Sequence, residues 1–173
     1  MCNRAEEDKQ RFSDEHKYRI GERIVHIPEG VCRLEEITKI DSVGEGKQYY
    51  KLVPLMGDTC ALYVSVNGSK KNIRKLRSKE EMLKIVDAQK TSEMNWEKRE
   101  DRRLSQVKAA IYNDDGVAIA KWIKVYYCRR KKERLNIVDN NLLKKAEQLL
   151  YSEMSVVLRR DYNKLRSNTL SEK

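Results

Sequence analysis

Between residues 18 and 77 the apolar residues come in short runs separated by turn signals. "RIGERIVHI" ends at Pro28 and Gly30, and "VCRLEEITKI" stops at "DSVGEG". "KQYYKLVPL" stops at "MGD" and "TCALYVSV" runs into Asn67-Gly68, a pair that tolerates positive φ and signals a hairpin. "KNIRKL" closes the set. Five β-rich runs in about sixty residues predict a small, strongly bent antiparallel barrel of the SH3 or Tudor kind. Pro54 then falls near a strand end, where a missing N–H does least harm.

At Ser78 the spacing of apolar positions changes from two to 3.6. Ser78 and Glu81 form a capping box that opens "KEEMLKIVDAQ", with Met82, Leu83, Ile85 and Val86 on its apolar side. Asn95 is a candidate N-cap for a second helix over about 96–112, which "NDDG" at 113–116 ends. A third helix is expected over about 117–133, burying Val117, Ile119, Ala120, Ile123, Val125 and Tyr127. Asn136, with Asp139 three residues on, opens a fourth over about 137–165, along which Leu142, Leu143, Ala146, Leu149, Leu150, Met154, Val157 and Leu158 keep helical spacing. The pattern therefore predicts an α+β chain: a disordered leader (1–17), a five-stranded antiparallel Tudor/SH3-like barrel (18–77), an all-helical domain (78–165) and a frayed tail (166–173).

Composition sharpens this picture at one point. Net charge is +10 over 173 residues, and it is uneven. Residues 1–78 hold 15 Lys+Arg against 12 Asp+Glu, and residues 79–173 hold 22 against 15. A basic helical half favours polyanions, nucleic acid first. Cys2, Cys32, Cys60 and Cys128 form no C-x-x-C pair, and His16 and His26 lie far from Cys128, so no metal and no cofactor is expected. The N-terminus lacks the apolar stretch of a signal peptide and no run approaches the roughly 20 apolar residues of a membrane span, so a cytoplasmic location is expected.

Catalytic signatures are missing. The sequence holds no Gly-rich phosphate loop, G-x-S-x-G elbow or H-E-x-x-H motif. The lone "GEG" at 44–46 reads as a turn, His26 as a structural or surface histidine, and Glu35-Glu36 and Asp114-Asp115 as solvent-facing charge and a helix stop. No enzyme is expected.

"EMNWEKREDRR" sets Trp96 at the head of a charge run. On a helical wheel with 100° per residue, Lys98, Arg99, Arg102 and Arg103 gather on one side, at about 200–340° from Trp96. Leu104, Val107 and Ile111 form an apolar stripe at about 50°. Trp96 then lies on the border, and two roles stay open. It could staple the helix start to the core, or expose its ring beside cations to stack on a base step while they hold phosphates. "RRKKER" at 129–134 extends the basic surface, although cations at a helix C-terminus also have a local electrostatic reason. Trp122, within "VAIAKWIKVYY", reads as core.

The order of barrel, capped helix, "MNWEKR" and the closing "LLKKAEQLLYSEM" helix, together with "IGERIVHIPEGVCRLEEI" and "YYKLVPLMGDTCALYVSV", resembles the CarD/CdnL family of bacterial RNA polymerase-binding transcription regulators over about residues 18–160. The resemblance implies an N-terminal Tudor-like module that binds the RNA polymerase β subunit, and a helical domain on promoter DNA at the upstream edge of the bubble. By the same resemblance Trp96 is a minor-groove wedge that stabilises the open complex. The resemblance sets Lys98, Leu104, Arg129, Arg130 and Arg134 beside it on DNA, and the wheel adds Arg99, Arg102 and Arg103. The basic position that some members carry five residues after the Trp is Asp101 here, and the nearest matches to the polymerase-contacting arginines are Lys39, Ile40 and Tyr63. The expected protein is a monomeric transcription regulator, nucleoid-associated through RNA polymerase. The rival from another class is an adaptor whose basic helical domain binds an acidic protein.

Overall fold

A computed structural model describes residues 17–40, 47–57, 60–68 and 72–171. The expected leader up to His16 and the "GEG" turn lie outside the described residues. Five antiparallel strands, β1 (Arg23–His26), β2 (Gly30–Lys39), β3 (Gln48–Pro54), β4 (Leu62–Ser65) and β5 (Ile73–Arg74), pair in the order β4-β3-β2-β1-β5. Pro54 ends β3 opposite Cys32, as its missing donor requires. β1 is shorter than its apolar run because Arg19–Glu22 turns, with Gly21 at φ +87° and its N–H on the Leu34 carbonyl. Asn67-Gly68 does reverse the chain, and the Gly68 N–H reaches the Ser65 carbonyl at 3.2 Å. It does not close a hairpin, however: β5 crosses over to pair with β1, through Val25 with Arg74 and His26 with Ile73. That crossover leaves β4 as an edge strand.

Inside the barrel, Tyr18, Ile24, Cys32, Leu34, Tyr50, Leu52 and Ile73 are buried together. The Tyr18 ring meets Tyr50 edge-on at 5.8 Å. Burial, aided by Glu29, pushes the Cys32 thiol up to about 12, which leaves it an inert core residue.

Five helices follow: α1 (Lys79–Thr91), α2 (Glu100–Tyr112), α3 (Gly116–Arg130), α4 (Ile137–Val157) and α5 (Tyr162–Ser171). The Ser78–Glu81 capping box is complete, with both reciprocal bonds made at 3.1 and 2.8 Å. Asp115 caps α3 and Asn136 caps α4. Val117 is exposed instead of buried, since it occupies the outer side of the first turn of α3. The expected unbroken helix over 137–165 is two helices. Arg159 adopts φ +51°, the Arg160 N–H bonds back to the Ser155 carbonyl, and Asp161 caps a new helix through the Lys164 N–H. α5 folds back so that Leu165 is buried and Tyr162 packs on the same core. The described part of the expected frayed tail is helical through Ser171.

Barrel and helices share one seam. On the β1–β2 hairpin, Ile24, Cys32 and Leu34 point into the barrel, whereas Val25 and Val31 belong to the helical core with Leu149, Leu150 and Met154. Ser152 of α4 accepts the Val31 N–H at 2.9 Å, and Gln148 donates to the Glu29 carbonyl at 3.1 Å. The contact is so close that a Cβ on Gly30, which sits at φ +85°, would lie 2.3 Å from Ser152 Oγ and 2.6 Å from the Gln148 carbonyl oxygen.

Beside that seam lies a charge cluster. Glu153 of α4 has a side chain with no exposure. It accepts two bonds from Arg74 at 2.7 and 2.9 Å, one from the Arg77 side chain at 2.6 Å and one from the Arg77 N–H at 2.7 Å. Asp114 completes it. Its carboxylate takes Arg74 and Arg77, its carbonyl takes Arg77 Nη2 at 2.6 Å, and its φ is +55°. Asp114 is therefore an internal counter-ion and not solvent-facing charge. Burial alone would lower the Arg74 pKa, but the bonds from Glu153 and Asp114 outweigh it and hold the guanidinium above its ordinary value.

Removing Glu153 leaves Arg74 and Arg77 to share the single carboxylate of Asp114. Glu153→Ala is expected to destabilise the fold by about 3–5 kcal/mol in urea denaturation, and Gly30→Ala to destabilise it through both clash and backbone strain. His26, half-buried with Nδ1 unpartnered, titrates below 6.5 because burial disfavours its charge, although Glu29 opposes the effect. A depressed histidine pKa means that the unfolded chain binds the proton first. Stability should thus be full above 6.5 and fall as pH drops from there toward the folded-state pKa, and His26→Gln should flatten that part of a pH-dependent urea series.

Candidate nucleic-acid interface

Residues 92–99 form no helix. They run as an extended strap from the end of α1 to the start of α2, and Trp96 lies in the middle. Asn95 is not the helix cap. α2 begins at Glu100 after Arg99, whose side chain makes no capping bond. The strap is extended because α2 and α3 bind its backbone. Arg103 donates to the Glu97 carbonyl at 2.9 Å, and Lys124 donates to the Lys90 and Ser92 carbonyls at 2.5 and 3.0 Å. Glu97 turns back to accept the Arg99 N–H at 2.9 Å. The wheel angles therefore do not apply to Trp96, Lys98 or Arg99.

Trp96 is half-buried. Its ring meets Tyr126 edge-on at 5.6 Å, with the Arg103 guanidinium 4.2 Å and the Arg129 guanidinium 5.1 Å from its centroid. Both geometries are favourable for an electron-rich indole. Trp122 is core, as its pattern predicts, and tilts against the same Tyr126. Arg103 is only 4% exposed. It grips Asp139 with two bonds, 3.0 and 2.8 Å, and Asp139 also accepts the Tyr126 hydroxyl at 2.9 Å. The Asp139 bonds hold Arg103 above its ordinary pKa, and burial followed by Asp139 raises that of Tyr126. Arg103 is thus a positioning residue under the Trp and not a surface cation. It was misplaced on the wheel because its acid lies 36 residues away.

The other cations divide. Lys98, Arg99, Arg102, Arg130 and Arg134 are exposed. Arg99 pairs with Asp101 at 2.9 Å on the open surface, where such pairs contribute little. Arg130 lies over the Tyr127 ring at 4.7 Å. Arg129 is half-buried, paired with Glu133 and leaning on Trp96. Leu104 is half-buried against the helical core, as Trp96 is. Between strap and α3 lies a cleft of about 320 Å³ lined by Met94, Asn95, Trp96, Lys124, Arg129 and Lys132, among others. Lys124 was not singled out from the sequence, and Lys132 was marked only as part of "RRKKER". The signal was their spacing, with Lys124 and Cys128 at i and i+4 on one side of α3 and Lys132 in the turn just after it.

Residues 18–77 match the family model described as CarD-like/TRCF RID domain, and residues 81–169 match CarD, C-terminal domain. The chain belongs to the CarD family. It is accordingly an RNA polymerase-interacting transcription factor with a Tudor-like N-terminal module, and the family is one of non-enzymatic regulators. No curated protein matches it. Among the described residues no helix is long and apolar enough to cross a membrane, and no three His, Cys, Asp or Glu side chains cluster as metal ligands.

On the barrel of this CarD-family protein the three suggested polymerase contacts lie on β4 and at the end of β2. Tyr63 is 50% exposed on β4, opposite Lys51 of β3, which itself pairs with Glu36 of β2. Lys39 is exposed at the end of β2, opposite Gln48, and Ile40 follows the strand half-buried. Tyr49, Lys51 and Tyr63 share the outward face, and of these the resemblance pointed only to Tyr63.

The two arginines next to each other in sequence should behave oppositely. Arg103→Ala is expected to destabilise the fold by about 3–5 kcal/mol, as loss of a buried pair does, while Arg102→Ala stays within roughly 0.5 kcal/mol of wild type. Urea midpoints of the two variants, with Arg103→Ala/Asp139→Ala costing less than the sum of its singles, check this assignment.

Proposed function

We propose that the protein bridges the β subunit of RNA polymerase and promoter DNA at the upstream edge of the bubble, and that it prolongs the open complex. The observation that carries this reading is Trp96. It is a half-exposed ring on a strap, fixed from behind by Arg103 and Tyr126, with Arg129 over the ring and Lys132 in the same cleft, and with Lys98, Arg99 and Arg102 exposed on the residues that follow. Cations supply weak affinity for phosphates of any sequence, and the ring supplies stacking on an opened base step. Entering an existing junction costs less than making one, so the protein binds the open complex better and shifts the equilibrium by that difference.

Such DNA affinity needs a second tether to choose its site. The edge strand β4, with Tyr63, Lys51 and Tyr49 facing outward, suits strand addition to a partner sheet. Two weak contacts on one chain then reinforce each other through effective concentration. The protein would act as a monomer in the cytoplasm, held at promoters by polymerase.

Trp96→Ala should leave polymerase pull-down intact and shorten open-complex lifetime, on the order of tenfold for loss of one stacking contact. An unchanged lifetime with retained polymerase binding would sink the wedge. Tyr63→Asp should weaken polymerase binding in the full chain without changing direct DNA binding. Lys98→Ala should lower the slope of log affinity against log salt by about 0.9 per lost phosphate contact.

A further inference from the structure

A groove of about 600 Å³ runs between the last turn of α2 and the first turns of α4. Ile111 and Leu142, both buried, form its floor, and Tyr112 and Val138 form its lips. Tyr112 is 58% exposed and Val138 44%, and Ile137, next to Val138, is 79% exposed. The helices do not need these side chains where they stand. Asn136 caps α4, and Asp139 supplies the anion that a first turn favours. Isoleucine and valine are middling helix formers, and a first turn is where polar groups answer free N–H donors. Single exposed apolar residues are ordinary, but a group of them around a hollow marks a contact surface.

The charge around the groove has one sign. Lys108, Lys144 and Lys145 line it, and no described carboxylate does. All three lysines are exposed, and none forms an ion pair with a described residue. The acids nearby are engaged elsewhere. Asp139 holds Arg103 and Tyr126, Glu147 holds Tyr127 and Arg166, Asp114 holds Arg74 and Arg77, and Asp115 caps α3. Along α4 the acids Asp139, Glu147 and Glu153 are buried while Lys144 and Lys145 face water. The hollow therefore pairs an apolar lining with an uncompensated basic rim. A phosphate backbone answers the lysines but has nothing to bury against Tyr112 and Val138. A helix with apolar residues on one stripe and carboxylates beside it answers both.

We infer that this groove docks an acidic amphipathic helix of a partner protein, with its apolar side chains between Tyr112 and Val138 and its carboxylates on Lys108, Lys144 and Lys145. The groove shares no lining residue with the cleft at Trp96. Its occupant thus does not compete for the Trp96 ring, and the site is separate from the proposed DNA contact.

Fluorescence anisotropy of the full chain with a labelled peptide tests the assignment. The probe is a helical peptide with leucine at i, i+4 and i+7, flanked by glutamates. One control peptide carries lysine for the glutamates, another serine for the leucines, and a short duplex serves as competitor. The expected result is saturable 1:1 binding of the probe, weakened about tenfold or more in either control peptide and in the Val138→Asp and Lys144→Glu/Lys145→Glu variants. Both variants change exposed positions, and an aspartate suits the first turn of α4, so the fold should be retained. Trp96→Ala should leave probe affinity unchanged, and the duplex should not displace the probe. Absence of saturable binding overturns the inference, as does unchanged affinity in Val138→Asp. Displacement by a duplex whose own affinity falls in Lys144→Glu/Lys145→Glu also overturns it, because the lysines then belong to DNA. So does self-association of the chain that Val138→Asp abolishes, because the occupant is then a second copy.

Discussion

A carboxylate with no exposed surface must be neutralised within the protein, and Glu153 is neutralised by two arginines that come from the other module. This requirement orients the whole molecule. Arg74 lies on β5 beside β1, Arg77 leads into α1, and Asp114 shares both at the α2–α3 turn. Four parts of the chain are thereby fixed at one point. An apolar seam alone would tolerate sliding, because burial is nearly indifferent to direction. Directed bonds between planar guanidinium and carboxylate groups are not.

The same logic recurs beneath Trp96. Asp139 binds Arg103 and Tyr126, and these two form the surface on which the indole rests. Each buried acid thus positions a feature it does not touch in sequence. Glu153 sets the barrel against the helices, and Asp139 sets the ring against its backing.

Much of the fold was legible because its causes are local. The Ser78–Glu81 box, the Asn136 cap, the position of Pro54 and the apolar spacing of α4 each follow from residues within one or two turns. What was not legible depends on distant partners. No local rule shows that β5 returns to β1, that Arg159 takes a left-handed turn, or that Arg103 meets an acid 36 residues on. The strap is the sharpest case: "EMNWEKREDRR" has the caps and charge order of a helix start, yet tertiary bonds to Glu97 and Ser92 hold it extended. Trp96 was still found as the residue to watch, because a large ring among charges needs an explanation in any conformation. The β1–β2 hairpin left a fainter trace. Its adjacent apolar pairs, Ile24-Val25 and Val31-Cys32, break the alternation expected of a strand with one wet face, because each face enters a different core.

That doubly buried hairpin has a geometric consequence. β2 starts pressed against α4 at Gly30 and continues to Lys39 within the sheet whose free edge is β4. The molecule therefore behaves as a gauge with no joint between its jaws. Whatever docks on Tyr63 is held at a set distance and rotation from whatever meets Trp96. For the bridge proposed above, a fixed span would also be a fixed phase: only one face of the duplex, at one offset in base pairs from the docked partner, would be presented to the indole.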